Sequence, residues 1–386
     1  MAPDAIVKHF ADVETIGARF CILLGVHLGF LCVNFYMKCL GIYPLPSTVS
    51  KFWTRVYNLL WCFYLSNHLL IIFPTFYAFG STTQDIAVAT YSLMEGLCMI
   101  ECIVLLIHFK YQKSDFKILL SLVHHELNKK KRIITLDNGN VYIIAFVLIA
   151  IMYVLIVFNY IQRPETVHYH KLLTTARYPF STRAAAIKII LSCHQMVVLL
   201  HMTIILTSDG LAVLLTIICT VRLKNLETKI RNGKRGKLSK RIREHQQIIL
   251  QVEETNLIVR IIVIKTVFCF MVFSISTGIQ IFHKFEIIQI FIVMIVFLRF
   301  YVSAESADNM ATCANNLGIA VYSTAWHEEK TKIRIAKTII IQRCQNSPRI
   351  FITGFMSELN RKYFLVVAYA TYSYFTMIRT LIGKNK

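Results

Sequence analysis

The chain has 386 residues, 56% hydrophobic and only 16% charged, with a mean hydropathy of +0.55. Soluble domains hold about 45–50% apolar and about 25% charged residues, so a water-soluble core cannot hide this excess. Lys and Arg outnumber Asp and Glu by 42 to 21. With no basic, aromatic-interleaved module present, that surplus marks membrane topology and not a nucleic-acid surface.

Only 7 prolines and 14 glycines exclude a β-rich or loop-rich chain, and a helix satisfies its own backbone in lipid. The expected class is all-α integral membrane. The 11 cysteines are odd in number, lie mostly in apolar runs and form no C-x-x-C pair, so neither a disulfide framework nor a zinc site follows. His124-His125 and His168-x-His170 have no third ligand at suitable spacing. No nucleophile elbow, phosphate loop, H-E-x-x-H helix or paired carboxylate constellation occurs. The chain is read as no enzyme, with no metal and no cofactor.

In chain order, the first apolar run is 20–37, flanked by Arg19 and Lys38 and followed by Gly41-Ile42-Tyr43-Pro44-Leu45-Pro46, which breaks a helix. Asp4, Asp12 and Glu14 spoil a signal-peptide leader. The run reads as an interfacial or re-entrant helix, in preference to a full span, within a cytoplasmic segment 1–52. Seven runs near the bilayer-crossing length follow: 56–79, 86–108, 141–161, 185–206, 258–282, 287–301 with its continuation, and 362–381. The expected organisation is helices one to four in 53–222 and a cytoplasmic basic loop in 223–257. Helices five and six with a cytosolic extension take 258–327, an anchor helix 328–356, and helix seven with an extracellular C-terminus 357–386.

Basic residues alternate with the connections. They crowd the second (Lys110 to Arg132), the fourth (Arg222 to Arg243) and the sixth (Lys330 to Arg349). The others are poor: none in 80–85, Lys284 alone in 283–286, and four scattered through 162–184. The positive-inside rule then puts the N-terminus in the cytoplasm. That orientation is opposite to a G-protein-coupled receptor's. Two stretches, 184–231 and 287–345, contain no proline, and ~40 helical residues reach about 60 Å, twice the hydrocarbon thickness. Their inner parts carry Glu305, Asp308, Glu328 and Glu329, and the 240–254 stretch is charged too. Helices projecting into the cytosol as a bundle are expected.

Sequence motifs then add a resemblance. Ala320-Val321-Tyr322-Ser323-Thr324-Ala325-Trp326, the Ser347-Pro348 step before Gly354-Phe355, and Ala370-Thr371-Tyr372-Ser373-Tyr374-Phe375-Thr376-Met377 occur in that order. With Leu40-Gly41-Ile42-Tyr43-Pro44 ahead of the first span, the chain resembles the insect odorant receptor family. The resemblance implies a subunit of a tetrameric, ligand-gated, non-selective cation channel that needs no G protein. It also implies assembly of an odour-tuned subunit with a shared co-receptor in the plasma membrane of a sensory-neuron dendrite, among membrane lipids. The chain lacks the co-receptor's longer loop between helices four and five and its terminal Gln, which points to a tuning subunit. A gustatory-receptor-type channel and a secondary transporter are the alternative readings.

In that family the small volatile ligand lies in the outer half of the bundle, among helices two to six. The matching faces here offer Tyr91, Met94, Glu95, Tyr153, Phe158, His194, Gln195, Phe273, Thr277, Phe291 and Met294, aromatic and Met side chains for shape-tolerant burial and a few polar groups for orientation. Glu95, Glu101 and His194 stand out as ionisable groups inside spans. The last helix lines the family's pore. On it Ser373, Thr376 and Thr380 fall three and four apart on one face, with Met377 as an apolar constriction. The same hydroxyls can equally bond their own backbone, and the gate pair aligns with either Thr371-Tyr372 or Ser373-Tyr374.

Overall fold

The computed structural model describes residues 31, 34–43, 45, 49–81, 86–128, 139–162, 172–232, 238–283, 285–324, 330–346, 348–351, 354 and 358–384. The run 20–37 lies largely outside them, as do Trp326, Ser347 and Phe355. The described elements are α1 (Lys51–Ser81), α2 (Ile86–Tyr111), α3 (Lys113–Asn128), α4 (Gly139–Gln162), α5 (Ala185–His201), α6 (Thr203–Arg231), α7 (Leu238–His283), α8 (Ile287–Tyr322), α9 (Thr331–Gln345) and α10 (Arg361–Lys384). There is no strand among the described residues.

Each of the seven expected spans falls on helix: α1, α2, α4, α5 with the start of α6, the second half of α7, α8 and α10. Five described stretches are long and apolar enough to cross a membrane, namely Lys51–Ser81, Val88–Tyr111, Ala185–Arg231, Lys240–Phe282 and Ile287–Tyr322. The shorter apolar stretch Ile144–Phe158 lies in α4. The α6–α8 pair is the most extensive packing contact, with α7 against both.

Two expectations change. The stretch 223–257, expected as a basic loop, is helical to Arg231 and again from Leu238 onward. Its apolar positions explain this, for Leu223, Leu226, Ile230, Ile248 and Val252 are buried while the basic side chains lie between them. The interval after helix two also folds, as α3. There Phe116, Leu119, Leu120 and Val123, spaced three, four and seven from the first, are all buried.

Local chemistry sets the breaks. The N-terminal helical turn ends at Gly41, φ +69°, where a Cβ would lie 2.4 Å from the Tyr57 carbonyl oxygen of α1. Only glycine fits that left-handed, closely packed position. The Ile42 and Tyr43 N–H groups then return to the Met37 carbonyl at 3.2 and 3.1 Å, so the Leu40–Tyr43 motif is a helix stop docked on α1. Between α5 and α6 the chain breaks at Met202. The His201 carbonyl accepts the Tyr36 hydroxyl at 3.1 Å, the Leu200 carbonyl accepts Thr203 Oγ1 at 2.8 Å, and the Ile205 N–H turns to Met202 at 3.0 Å. Side chains have inserted into the backbone ladder, a recognised cause of a kink. His201 also meets His68 of α1, ring nitrogen to ring nitrogen, and stacks on Tyr64 at 4.4 Å.

α8 begins with a capping box between Glu286 and Gln289 and runs 36 residues, about 54 Å at 1.5 Å per residue. Its far half packs against α7 and α9. There a Cβ on Gly318 would stand 2.7 Å from Cys344 Cβ, and Cys344 Sγ lies 3.8 Å from His245 Nε2. α10 starts where Arg361 forks onto both Glu305 oxygens of α8, with Asp308 at 3.4 Å. It then passes α7 so closely that a Cβ on Gly278 would be 2.7 Å from the Phe375 ring.

Candidate functional site

A cavity of about 120 Å³ lies among five of the spans. Its walls follow helical spacing: Met94, Glu95 and Cys98 from α2; Tyr153, Ile156 and Val157 from α4; Ile292, Ile295, Val296 and Arg299 from α8. Leu199, Met202, Ile205 and Leu206 come from the α5–α6 break, and Phe273 from α7. The break at Met202 brings the end of one helix and the start of the next to the wall. An apolar wall of Met, Leu, Ile, Val and Phe suits burial of a small molecule by the hydrophobic effect.

Thr174, from the connection before α5, closes the list of lining residues. Gln195 Oε1 accepts the Leu173 and Thr174 N–H groups at 2.8 and 3.2 Å, and Glu95 Oε2 accepts the Thr175 N–H and hydroxyl at 2.9 and 2.7 Å. The Pro74 carbonyl takes the Arg177 N–H at 3.0 Å. Buried carboxylate and amide acceptors thus fix a loop that would otherwise leave its backbone donors unpaired.

Arg299 borders the chamber and belongs to a buried ionic cluster. Its Nε donates to Asp209 Oδ2 at 2.5 Å and its Nη2 to Glu101 Oε1 at 2.7 Å. Lys265 Nζ reaches Glu101 Oε1 at 2.6 Å and Asp209 Oδ1 at 2.9 Å. Thr266 donates to Asp209 Oδ1 at 3.1 Å, and the Cys269 thiol to Glu101 Oε2 at 3.2 Å. Two carboxylates and two cations from α2, α6, α7 and α8 balance to zero, and every carboxylate oxygen is hydrogen-bonded. Such completeness is what makes buried charge tolerable in a membrane-spanning bundle.

Of the expected ligand residues, Met94, Glu95, Tyr153 and Phe273 line the cavity. Tyr153 donates its hydroxyl to the Leu199 carbonyl at 2.8 Å, so it presents its ring. Gln195 and Thr277 are buried close by: Gln195 holds the loop, and Thr277 touches Met94 Sδ at 3.9 Å. Tyr91 instead bonds Glu286 at 3.2 Å, tying α2 to the start of α8. His194 is half-buried and off the cavity, its Nε2 without a hydrogen-bond partner among the described residues. Phe291 packs against the core.

Phe158 and Met294 are outward-facing, 54% and 44% exposed. Phe158 is five residues from Tyr153, about 140° around the helix, and Met294 is about 160° from Ile292. The sequence reading missed Arg299, Asp209 and Lys265, although each is an ionisable residue within a mostly apolar stretch. It also missed Cys98 and Thr174, which carry no such signal.

On α10, Ser373 Oγ donates to Tyr369, Thr376 Oγ1 to Ser373 and Thr380 Oγ1 to Thr376, at 3.0, 2.8 and 2.8 Å. Met377 is exposed, as are Leu365, Val366, Tyr369, Tyr372, Tyr374 and Leu381.

A multi-pass helical bundle with an apolar chamber among its spans, bordered by a neutralised ion cluster, defines an integral membrane protein with internal room for a small apolar molecule. The family described as 7tm Odorant receptor matches residues 85–372, and the chain belongs to it. It is a receptor family and not an enzyme family. The fold is similar to the insect olfactory receptor OR5 from Machilis hrabei, at 17% identity and a TM-score of 0.72 over 90% of this chain and 98% of that one. The structure of that receptor in complex with eugenol is similar at 15% identity and a TM-score of 0.75, covering 91% and 99%. No curated protein matches the sequence.

Proposed function

We propose that the chain is the odour-tuned subunit of a ligand-gated, non-selective cation channel, assembled with a co-receptor subunit in a heterotetramer. Its place is the plasma membrane of a sensory-neuron dendrite. The observation that carries this is the chamber between α2, α4, α5–α6, α7 and α8, roofed by the loop around Thr174. A small volatile bound there displaces nothing charged and gains the burial energy of its apolar surface. The eugenol complex of a fold relative agrees in the kind of molecule taken.

Filling the chamber tests it. Val296→Phe from α8 and Ile156→Phe from α4, both on the wall, are each expected to raise the odorant concentration for half-maximal current at least tenfold at unchanged surface expression. Normal responses in both variants would remove the chamber from the function.

For the pore, α10 supports the reading in two ways. Its apolar and Tyr-rich outer face is uncovered in a single chain, as a helix packed around a shared axis would be. The Ser373, Thr376 and Thr380 hydroxyls donate to their own backbone, which leaves oxygen lone pairs turned away from the helix, the polarity a partly hydrated cation needs. Thr380→Glu is expected to raise divalent permeability or block, in part only, because partner subunits supply the rest of the lining. An unaltered selectivity sequence would place the pore elsewhere.

The alternating basic connections support a cytoplasmic N-terminus and an extracellular C-terminus. A tag at the N-terminus or within 231–243 should be reached by antibody only after permeabilisation, and one after Lys386 on intact cells. An N-terminal tag stained on intact cells reverses the orientation.

A further inference from the structure

We infer that Arg299 is a specificity-determining hydrogen-bond donor of the chamber, which selects neutral ligands bearing an oxygen acceptor (ketones, aldehydes and esters) over hydrocarbons of the same shape. The inference deepens the chamber reading above and rests on it. Among the lining residues, the polar ones are few. Tyr153 spends its hydroxyl on Leu199, Glu95 offers acceptors only, its Oε2 taking the Thr175 N–H and hydroxyl, and Thr174, whose Oγ1 accepts the Ala176 N–H at 3.4 Å, offers a single neutral hydroxyl. Arg299 is different. Its guanidinium has five N–H donors; Asp209 takes Nε and Glu101 takes Nη2, and Nη1 makes no hydrogen bond among the described residues. The residue keeps 5% of its surface and lines the chamber.

Charge decides which acceptor fits. Glu101, Asp209, Lys265 and Arg299 sum to zero, so the site has no surplus positive charge for an anion. A carboxylate ligand would bury an uncompensated charge. A carbonyl oxygen keeps neutrality and meets a donor that is ionised and therefore strong. Size also limits the ligand: a chamber of about 120 Å³ is of the order of the engineered 150 Å³ apolar cavity that binds benzene, so a single small ring or a short chain is the scale.

The test uses carbonyl–alkene pairs of equal shape, cyclohexanone with methylenecyclohexane and benzaldehyde with styrene. The full chain is expressed with a co-receptor subunit, and the odorant-evoked current is read. The carbonyl compound is expected to act at a concentration at least tenfold lower than its alkene, and one factor of ten corresponds to about 1.4 kcal/mol. The double variant Arg299→Met with Glu101→Gln keeps the cluster neutral through Asp209 and Lys265, and there the ratio is expected to fall to about one. If that variant fails to reach the surface, the wild-type ratio alone decides.

A wild-type ratio near one, in a receptor that Val296→Phe silences, overturns the role of Arg299 and leaves the chamber standing. A tenfold ratio that persists in the double variant overturns it too, since the donor then lies elsewhere. A receptor that answers neither carbonyl compound overturns the ligand class. Responses that survive both Val296→Phe and Ile156→Phe remove the chamber itself.

Discussion

Replacing Lys265 by Met is expected to remove most of the folded receptor. Lys265 bridges Glu101 and Asp209, and without it Arg299 faces two buried carboxylates alone. Removing one partner of a buried ion cluster costs about 3–5 kcal/mol, because an uncompensated charge remains in a low-dielectric interior. A total stability of about 5–15 kcal/mol leaves little margin for that loss.

The loss is specific to charge, and a second substitution shows it. Glu101→Gln with Lys265→Met leaves the Asp209–Arg299 pair, at 2.5 Å, balanced and keeps an amide oxygen beside Arg299. Most of the receptor is expected to return. Gel filtration in detergent and surface labelling measure both variants. A single Lys265→Met receptor as abundant and monodisperse as the wild type would show that the cluster carries no stability.

The second large effect is expected at Gly318. An Ala there puts its Cβ about 2.7 Å from Cys344 Cβ, and both atoms are fixed to helix backbones, so no side-chain rotation relieves the clash. α8 and α9 must separate, at a cost of about 1–3 kcal/mol. Adding Cys344→Gly removes the obstructing atom and is expected to recover part of that loss, less the roughly 1 kcal/mol that a helical glycine costs. Thermal denaturation of the purified protein reads the difference. An unshifted midpoint in Gly318→Ala would mean that the α8–α9 contact is slack.

The tie between α8 and α10 gives the fold a mechanical logic. α8 carries Ile292, Ile295, Val296 and Arg299 on the chamber wall, and two turns further on it carries Glu305, which holds Arg361 at the start of α10. One helix therefore lines the chamber at one level and meets the uncovered helix at another. A packed helix that meets both the chamber and α10 is one physical path by which the two can be coupled.

The sequence by itself determined the helical membrane class, the helical state of all seven apolar runs and the charged stretches that continue them. These are local properties: runs of apolar side chains, few prolines, and an energetic bar on unsatisfied backbone in lipid. It also held the signal for α3, since Phe116, Leu119, Leu120 and Val123 repeat at helical spacing; Lys113 and Lys117 drew the reading to topology instead. What it left undecided was phase and partnership. The family resemblance placed Phe291 and Met294 toward a ligand, whereas packing against α6 and α7 turns Ile292, Ile295, Val296 and Arg299 inward. The bonded partners in the cluster of Glu101, Asp209, Lys265 and Arg299 lie 56 to 198 positions apart along the chain. No local pattern links them. Only the assembled bundle brings their charges within hydrogen-bonding distance, because the cost of burying each one alone forces the helices into the arrangement that pairs them all.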